Sequence, residues 1–549
     1  MSTPLYKHRL QYEPKLPTAL KDISTTVAVE DVSAKDLFKN VDVKIKDLFP
    51  KTFGKPLVNI SKGKPSATTL NVGVVLSGGQ APGGHNVIVG LYEALVKSNK
   101  SNKLYGFLGG PSGMLESKYI EITSKIVQEY KNTGGFDMIG SGRTKLKTEA
   151  EFAKVAENCK KIGINAVVVI GGDDSNTNAA VLAEYFAAHD LGIQVVGVPK
   201  TIDGDLKHGG IEISFGFDTA CRTYSELIGN IARDANSAKK YWHFIRLMGR
   251  SASHIALECA LQTRPNVTLI GEEVKEKKMS LKAVAGMIVD SVVARAANGE
   301  NFGLVLVPEG LIEFVPEIGT LIAELNELLS HHAEEVSKLN KDQLLAWVES
   351  HISSGSKGVF VSLPKDIALQ MLQDRDPHGN VQVSAIKTEE LLMSVVKTEL
   401  DALKSAGKYK GSFNAIGHFF GYEGRAAYPT NFDADYCFSL GHIAYVLLSS
   451  GLTGYICAVG DSHKSVDKWL PQGVPLTSLM NVERRHGQDN PVIKKALVDL
   501  NDAPFKELQK NRAKWAVETL AVNPGPIQYF GPVEVCDVAP MTLVLEKTK

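Results

Sequence analysis

Four stretches of this chain share one pattern: a short, unbroken apolar run, then a turn carrying glycine, proline or charge. They are Asn71–Ser77 (NVGVVLS), Ala166–Ile170 (AVVVI), Val195–Val198 (VVGV) and Leu304–Val307 (LVLV). A strand with one face in water alternates apolar and polar residues. A continuous run has both faces covered, which is the condition of parallel strands packed between helices. Helical periods follow, beginning with VIVGLYEALVK after the first run. The expectation is an α/β chain, and 549 residues are enough for two to four packed units.

The flanking regions read differently. Residues 1–70 are polar, proline-spotted and weakly periodic, an extension wrapped on the surface or a flexible tail. Between 311 and 408, Leu321, Ile322, Leu325, Leu328 and Leu329 recur at helical spacing, as do Leu391, Leu392, Val395, Val396 and Leu400. That predicts a helical insertion flanking a loop, SSGSKG at 353–358. Basic and acidic residues balance at 61 each, which argues against a nucleic-acid or acidic-membrane binder. Six cysteines contain no CxxC pair, against a disulfide scaffold or a zinc-thiolate site. No apolar run approaches a membrane span and no signal core opens the sequence, so a cytoplasmic protein is expected.

The chemistry sits where three of the runs end. The first opens into Gly78-Gly79-Gln80-Ala81-Pro82-Gly83-Gly84, a loop whose backbone can approach an anion ahead of a helix N-terminus. It is neither GxGxxG nor GxxxxGK[ST], so a phosphate cradle and a plain tight turn both remain open. The second ends in Gly171-Gly172-Asp173-Asp174, paired carboxylates suited to a hard cation that bridges phosphate oxygens. The bland alternative is an aspartate N-cap, which accounts for one of the two. The third ends in Lys200-Thr201-Ile202-Asp203-Gly204-Asp205, an ammonium and two carboxylates within six residues. A cation there can hold a phosphoryl group while a carboxylate takes a proton from an attacking hydroxyl.

GGQAPGG, GGDDSN, PKTIDGD, FGFDTA (215–220), MGR (248–250), PEG (308–310) and YEGR (422–425) occur in the order of the phosphofructokinase family. The chain resembles that family over most of residues 71–440, and within it the long, pyrophosphate-dependent form, close to the plant β (catalytic) subunit and its protist counterparts. The resemblance implies two Rossmann-like α/β domains of three layers, with the active site between them, and Mg²⁺-dependent transfer between pyrophosphate and the 1-hydroxyl of fructose 6-phosphate. Residues 71–236, completed by about 427–510, would bind pyrophosphate and the metal. Residues 237–426, including the insertion, would bind the sugar phosphate, and 511–549 would be a C-terminal segment.

By the same resemblance Asp203 is the general base, flanked by Thr201, Ile202 and Asp205. Gly79, Arg143 in GSGR (140–143), Asp174 and Lys200 serve the donor, and Asp173 the metal. Met248, Gly249, Arg250 and Glu309 hold the sugar, with Arg250 also catalytic. Tyr422, Glu423, Gly424 and Arg425 grip the 6-phosphate, joined by Lys240 and Tyr241 of a neighbouring copy, which implies a homo-oligomer. ATP-using relatives carry glycine at the place of Asp174 and a small residue at that of Lys200. An aspartate at 174 repels an α-phosphate, and Lys200 neutralises pyrophosphate. The competing readings are an ATP-dependent phosphofructokinase and a regulatory subunit of a hetero-oligomer. His331-His332 reads as a solvated face, Cys221 and Cys259 as core thiols, and Asp433 and Asp435 as structural.

Overall fold

The computed structural model describes residues 4–22, 28–32, 37–61, 69–208, 210–372, 381, 385–485, 488–526 and 537–548. Its strands, in chain order, are β1 (Ala28–Val32), β2 (Leu57–Ser61), β3 (Asn71–Leu76), β4 (Lys103–Phe107), β5 (Tyr119–Glu121), β6 (Ala166–Gly171), β7 (Gln194–Pro199), β8 (Tyr241–Leu247), β9 (Val267–Thr268), β10 (Phe302–Pro308), β11 (Ala415–Phe420), β12 (Tyr455–Gly460), β13 (Leu470–Pro475), β14 (Met480–Arg485) and β15 (Gln488–Ile493). The chain divides into two compact units, each assembled from separated segments. The first contains Met1–Thr223, Tyr422–Ala496 and Ile527–Thr548; the second, chiefly Tyr224–Gly421 and Leu497–Pro526.

The first unit is built on a nine-stranded sheet in the order β1-β2-β13-β12-β7-β6-β3-β4-β5. Its centre is parallel: β4 with β3, β3 with β6, β6 with β7 and β7 with β12. These are the covered strands that the unbroken apolar runs call for. Every residue of β6 is buried, and Val167 and Val169 pack with Val75, Phe107, Val155 and Phe186 in one core. Burying each such side chain contributes about 1.5–3 kcal/mol. The second unit has a parallel four-stranded sheet, β11-β8-β10-β9. Its core joins Trp242, Phe244 and Val305 to the helix Pro316–His331 through Leu321, Ile322 and Leu325, and to the helix Thr388–Ser405 through Leu391, Leu392, Val396 and Leu400.

Two expectations change. SSGSKG is not a loop, because Ser354–Ser362 is helical. The Ser353 side chain accepts from the Ser356 amide, Glu324 accepts from the Ser353 amide and hydroxyl, and Phe360 is buried in the second core. Capping and tertiary burial outweigh the poor helix propensity of its two glycines. The region before residue 70 is also more than a surface wrapping. β2 enters the large sheet between β13 and β1, and Arg9 is buried, donating to Asn431 Oδ1 at 2.8 Å and to the Pro429 carbonyl. Five strand residues in a polar stretch carry too little periodicity to be read locally. His331 and His332 are exposed; Cys221 and Cys259 are buried. Asp433 and Asp435 lie buried in the helix Asn431–Ser449, where Asp433 accepts from the Gly216 and Thr219 amides and Asp435 from Tyr12 and the Lys15 amide. Among the described residues no helix is long and apolar enough to cross a membrane.

Candidate active site

Because β3, β6 and β7 are parallel neighbours, the loops leaving their C-terminal ends emerge side by side, where α/β sheets bind ligands. The ladder continues just past the strands. The Ser77 amide donates to the Ile170 carbonyl at 2.8 Å, and the Lys200 amide to the Gly171 carbonyl at 3.0 Å. A fourth segment joins when the Gly78 amide donates to the Gly142 carbonyl at 2.9 Å, bringing GSGR alongside.

Three cations converge on the Gly78–Gly79 turn. Lys200 is buried and its Nζ donates to the Gly79 carbonyl at 2.8 Å. A Cβ on Gly79 would lie 3.1 Å from Arg425 Nη1 and 3.5 Å from Arg143 Nη2. A Cβ on Gly78, where φ is +86°, would lie 3.2 Å from Lys200 Nζ. A side chain at either position would crowd these cationic ends by a few tenths of an ångström, and at Gly78 the positive φ adds backbone strain. Burial, with Arg425 beside it, pushes the Lys200 ammonium down to about 8 against the opposing pull of Asp203 and Asp173.

Carboxylates border the cradle. Asp173 and Asp174 both lie in the first turn of the helix Asp173–Ala188, whose cap is Gly172, so neither is the N-cap that a bland reading supplies. Two negative charges at a helix start are favoured by its exposed amides. Asp174 is exposed. In the third turn the Asp203 amide donates to Thr201 Oγ1 at 3.0 Å, and Ile202 is buried beneath it. Asp205 is buried, and its carbonyl accepts from the Ala496 amide at 2.7 Å. Lys495 Nζ stands 3.6 Å from Asp205 Oδ2 and 3.8 Å from Asp173 Oδ2. An ammonium held between these two carboxylates shows that the place accommodates positive charge, and Asp173 with Asp205 could give a hard divalent ion two of its oxygen ligands, the rest coming from water and substrate phosphate.

The turn carrying Lys200 to Asp205 is closed on itself. The Phe215 amide returns to the Pro199 carbonyl at 3.2 Å and the Ser214 hydroxyl donates to the Leu206 carbonyl at 2.6 Å. Its outer part is clasped by the helix Met541–Lys547, where Glu546 pairs with Lys207 and Lys547 with Glu212. Glu212 also accepts from the Ser462 amide at 2.9 Å.

In the second unit, Met248-Gly249-Arg250 leaves the end of β8. Met248 is buried, Gly249 has φ of +117°, and Arg250 is exposed. A Cβ on Gly310 would fall 1.7 Å from the Arg250 carbonyl oxygen, so the backbones of MGR and PEG touch. Glu309 is buried, its amide bonded to the Leu247 carbonyl at 2.9 Å. Lys240 precedes β8 and Tyr241 opens it, both on the surface, Tyr241 at a φ of +73°. The remaining expected residues belong to the first unit. Tyr422 and Glu423 are exposed and Gly424 is buried, while Arg425 reaches the Gln80 carbonyl at 3.3 Å.

Residues 71–355 match the family profile described as Phosphofructokinase. The chain is 52% identical over 555 residues to the pyrophosphate–fructose 6-phosphate 1-phosphotransferase of Treponema pallidum, covering 99% of this chain and 97% of that protein. It belongs to the phosphofructokinase family. It is also 52% identical to subunit beta 1 of the Arabidopsis thaliana pyrophosphate–fructose 6-phosphate 1-phosphotransferase, over 91% of this chain and 88% of that one. A solved pyrophosphate-dependent phosphofructokinase from Nitrosospira multiformis shares the fold, with a TM-score of 0.54 at 16% identity over 84% of this chain and 95% of that one.

In this phosphofructokinase the structure brings together Gly79, Arg143, Lys200 and Arg425, and beside them Asp173, Asp203 and Asp205. Arg425, read from the sequence beside the sugar 6-phosphate, lies against the glycine turn. Sequence reasoning missed Lys495, Glu212 and Lys547. Lys495 sits in VIKKAL without a strand-end motif, and the clasp joins residues hundreds of positions apart, so no local signal was available.

Proposed function

We propose that this chain catalyses the reversible transfer of a phosphoryl group from pyrophosphate to the 1-hydroxyl of D-fructose 6-phosphate, giving fructose 1,6-bisphosphate and phosphate. The observation that carries this reading is the convergence of Lys200, Arg143 and Arg425 on the Gly78–Gly79 turn, next to the carboxylate of Asp203. The oxygen of the 1-hydroxyl forms the new bond to phosphorus, the bridging P–O bond breaks, and phosphate leaves with the bonding pair. Asp203 takes the hydroxyl proton. Lys200, Arg143 and Arg425 bind the donor and stabilise charge on the departing phosphate in a site where Lys200 is shielded from water. Asp173 and Asp205 would hold a divalent cation, Mg²⁺, which when bound would neutralise pyrophosphate oxygens. Thr201 and Ile202 line the acceptor side, and Met248, Gly249, Arg250 and Glu309 bind the sugar.

Pyrophosphate is preferred to ATP because Asp174 places a negative charge at the helix start, where an α-phosphate would be repelled, and because Lys200 occupies the space over Gly78. The intact charge cluster speaks against a catalytically silent subunit. Tyr422, Glu423 and Gly424 serve the 6-phosphate together with Lys240 and Tyr241 of a second copy, so the working form is at least a dimer, and a cytoplasmic one. The test is initial rates of the purified full chain with fructose 6-phosphate and Mg²⁺, comparing pyrophosphate with ATP. Turnover with pyrophosphate alone is expected. Turnover mainly with ATP overturns the donor argument, and none with either overturns the activity.

A further inference from the structure

Lys495 lies just beyond β15, on a backbone fixed from both sides. The Ile493 amide donates to Thr177 Oγ1 at 3.1 Å, the Lys494 amide to the Leu479 carbonyl at 3.2 Å, and the Ala496 amide to the Asp205 carbonyl at 2.7 Å. Three bonds to three segments within four residues set where the lysine starts, while its side chain is still 36% exposed. The ammonium then stands between carboxylates from two different strand ends, 3.6 Å from Asp205 and 3.8 Å from Asp173. At these ion-pair distances the one ammonium faces both carboxylates and offsets their mutual repulsion.

We propose that Lys495 is a positioning residue of the donor site: the resident counter-ion of the Asp173–Asp205 pair, displaced from between them by a divalent cation and then turned to the pyrophosphate that arrives with it. The proposal rests on the reading of Asp173 and Asp205 as the cation's ligands. Its physical basis is charge. Two carboxylates facing one pocket repel each other, and a fixed ammonium relieves that repulsion when no metal is present. The same ammonium opposes a second cation, so the site discriminates against the metal alone and favours metal with its anion. A lysine suits the task because its long stem and compact charge can shift by a few ångströms without moving the pinned backbone.

Mn²⁺ titrated into the substrate-free full-length protein, with free Mn²⁺ read by electron paramagnetic resonance, tests this. In Lys495→Met the Mn²⁺ affinity is expected to rise about tenfold, the effect of removing one charge near 4 Å in a partly exposed site. The KM for pyrophosphate should rise by a similar factor, the KM for fructose 6-phosphate should stay within about twofold, and Lys495→Arg should restore the pyrophosphate KM. Unchanged Mn²⁺ affinity in Lys495→Met, with Asp205→Asn having lost its Mn²⁺, overturns the counter-ion and leaves the metal ligands standing. Mn²⁺ binding that survives Asp205→Asn, or that the parent protein lacks at millimolar concentrations, overturns the ligand reading and the counter-ion with it.

Discussion

The turn after β7 in the first unit and the turn after β8 in the second both carry residues singled out by the sequence, and they are built by opposite means. After β7, position comes from charge and side-chain hydrogen bonds: Lys200 on the Gly79 carbonyl, Thr201 on the Asp203 amide, Lys495 between Asp205 and Asp173. After β8, it comes from backbone contact, with Gly249 at positive φ and the Gly310 Cα pressed against the Arg250 carbonyl. The first construction separates chemistry from folding, because a charge can be removed while the chain path stays. The second cannot separate them, since any side chain at Gly310 must displace the backbone.

The largest expected effect comes from the first turn. Asp203→Ala should lower kcat about 10³-fold, within the range for loss of a general base, while the melting temperature and the KM for pyrophosphate stay near their parent values. A normal rate in that variant, with both substrates still bound, removes Asp203 from its role. A matching loss of stability would erase the contrast between the two turns.

Gly310→Ala comes next. A Cβ 1.7 Å from a carbonyl oxygen forces the two backbones apart, at a cost of about 2–4 kcal/mol of stability in chemical denaturation. The KM for fructose 6-phosphate should rise more than that for pyrophosphate. Unchanged stability would show that the MGR–PEG contact yields freely and that the turn after β8 is no more rigid than its counterpart.

The smallest effect is a pH limb. Lys200 falls from 10.5 to about 8 in the folded chain, so its charge, and pyrophosphate affinity with it, should decline as pH rises through about 8. Because the folded value lies below the unfolded one, the buried ammonium costs stability below pH 8, and the cost fades as pH climbs towards 10.5. Arg425→Gln removes the neighbouring charge that lowers Lys200, so the limb should move upward in direct binding of pyrophosphate across pH 7–10. A limb that stays in place detaches Arg425 from the cradle.

The same contrast explains what could be read in advance. Val167 to Ile170 declares a covered strand by itself, and GGDD or KTIDGD declares a charged turn by itself, so the donor side of the site was legible from short words. Steric sites leave only a glycine, and glycines are common. Lys495 and Glu212 acquire meaning from partners brought near by the sheet order and by segments returning late in the chain. The helix Ser354–Ser362 and the strand β2 were missed for a related reason: burial of Phe360 and pairing with β13 decide them, and neither is a local property.

The clasp on the turn after β7 also sets an order in time. Lys207 and Glu546 are 339 residues apart in the chain. At about 5–20 residues per second of synthesis, the segment bearing Lys200, Asp203 and Asp205 leaves the ribosome roughly 20–70 s before the helix that will brace it. For that interval the nascent protein carries its proton acceptor and its phosphate-binding lysine on an unbraced loop. A clipped chain without residues 541–547 would keep every group of the donor site and lose the element that steadies them.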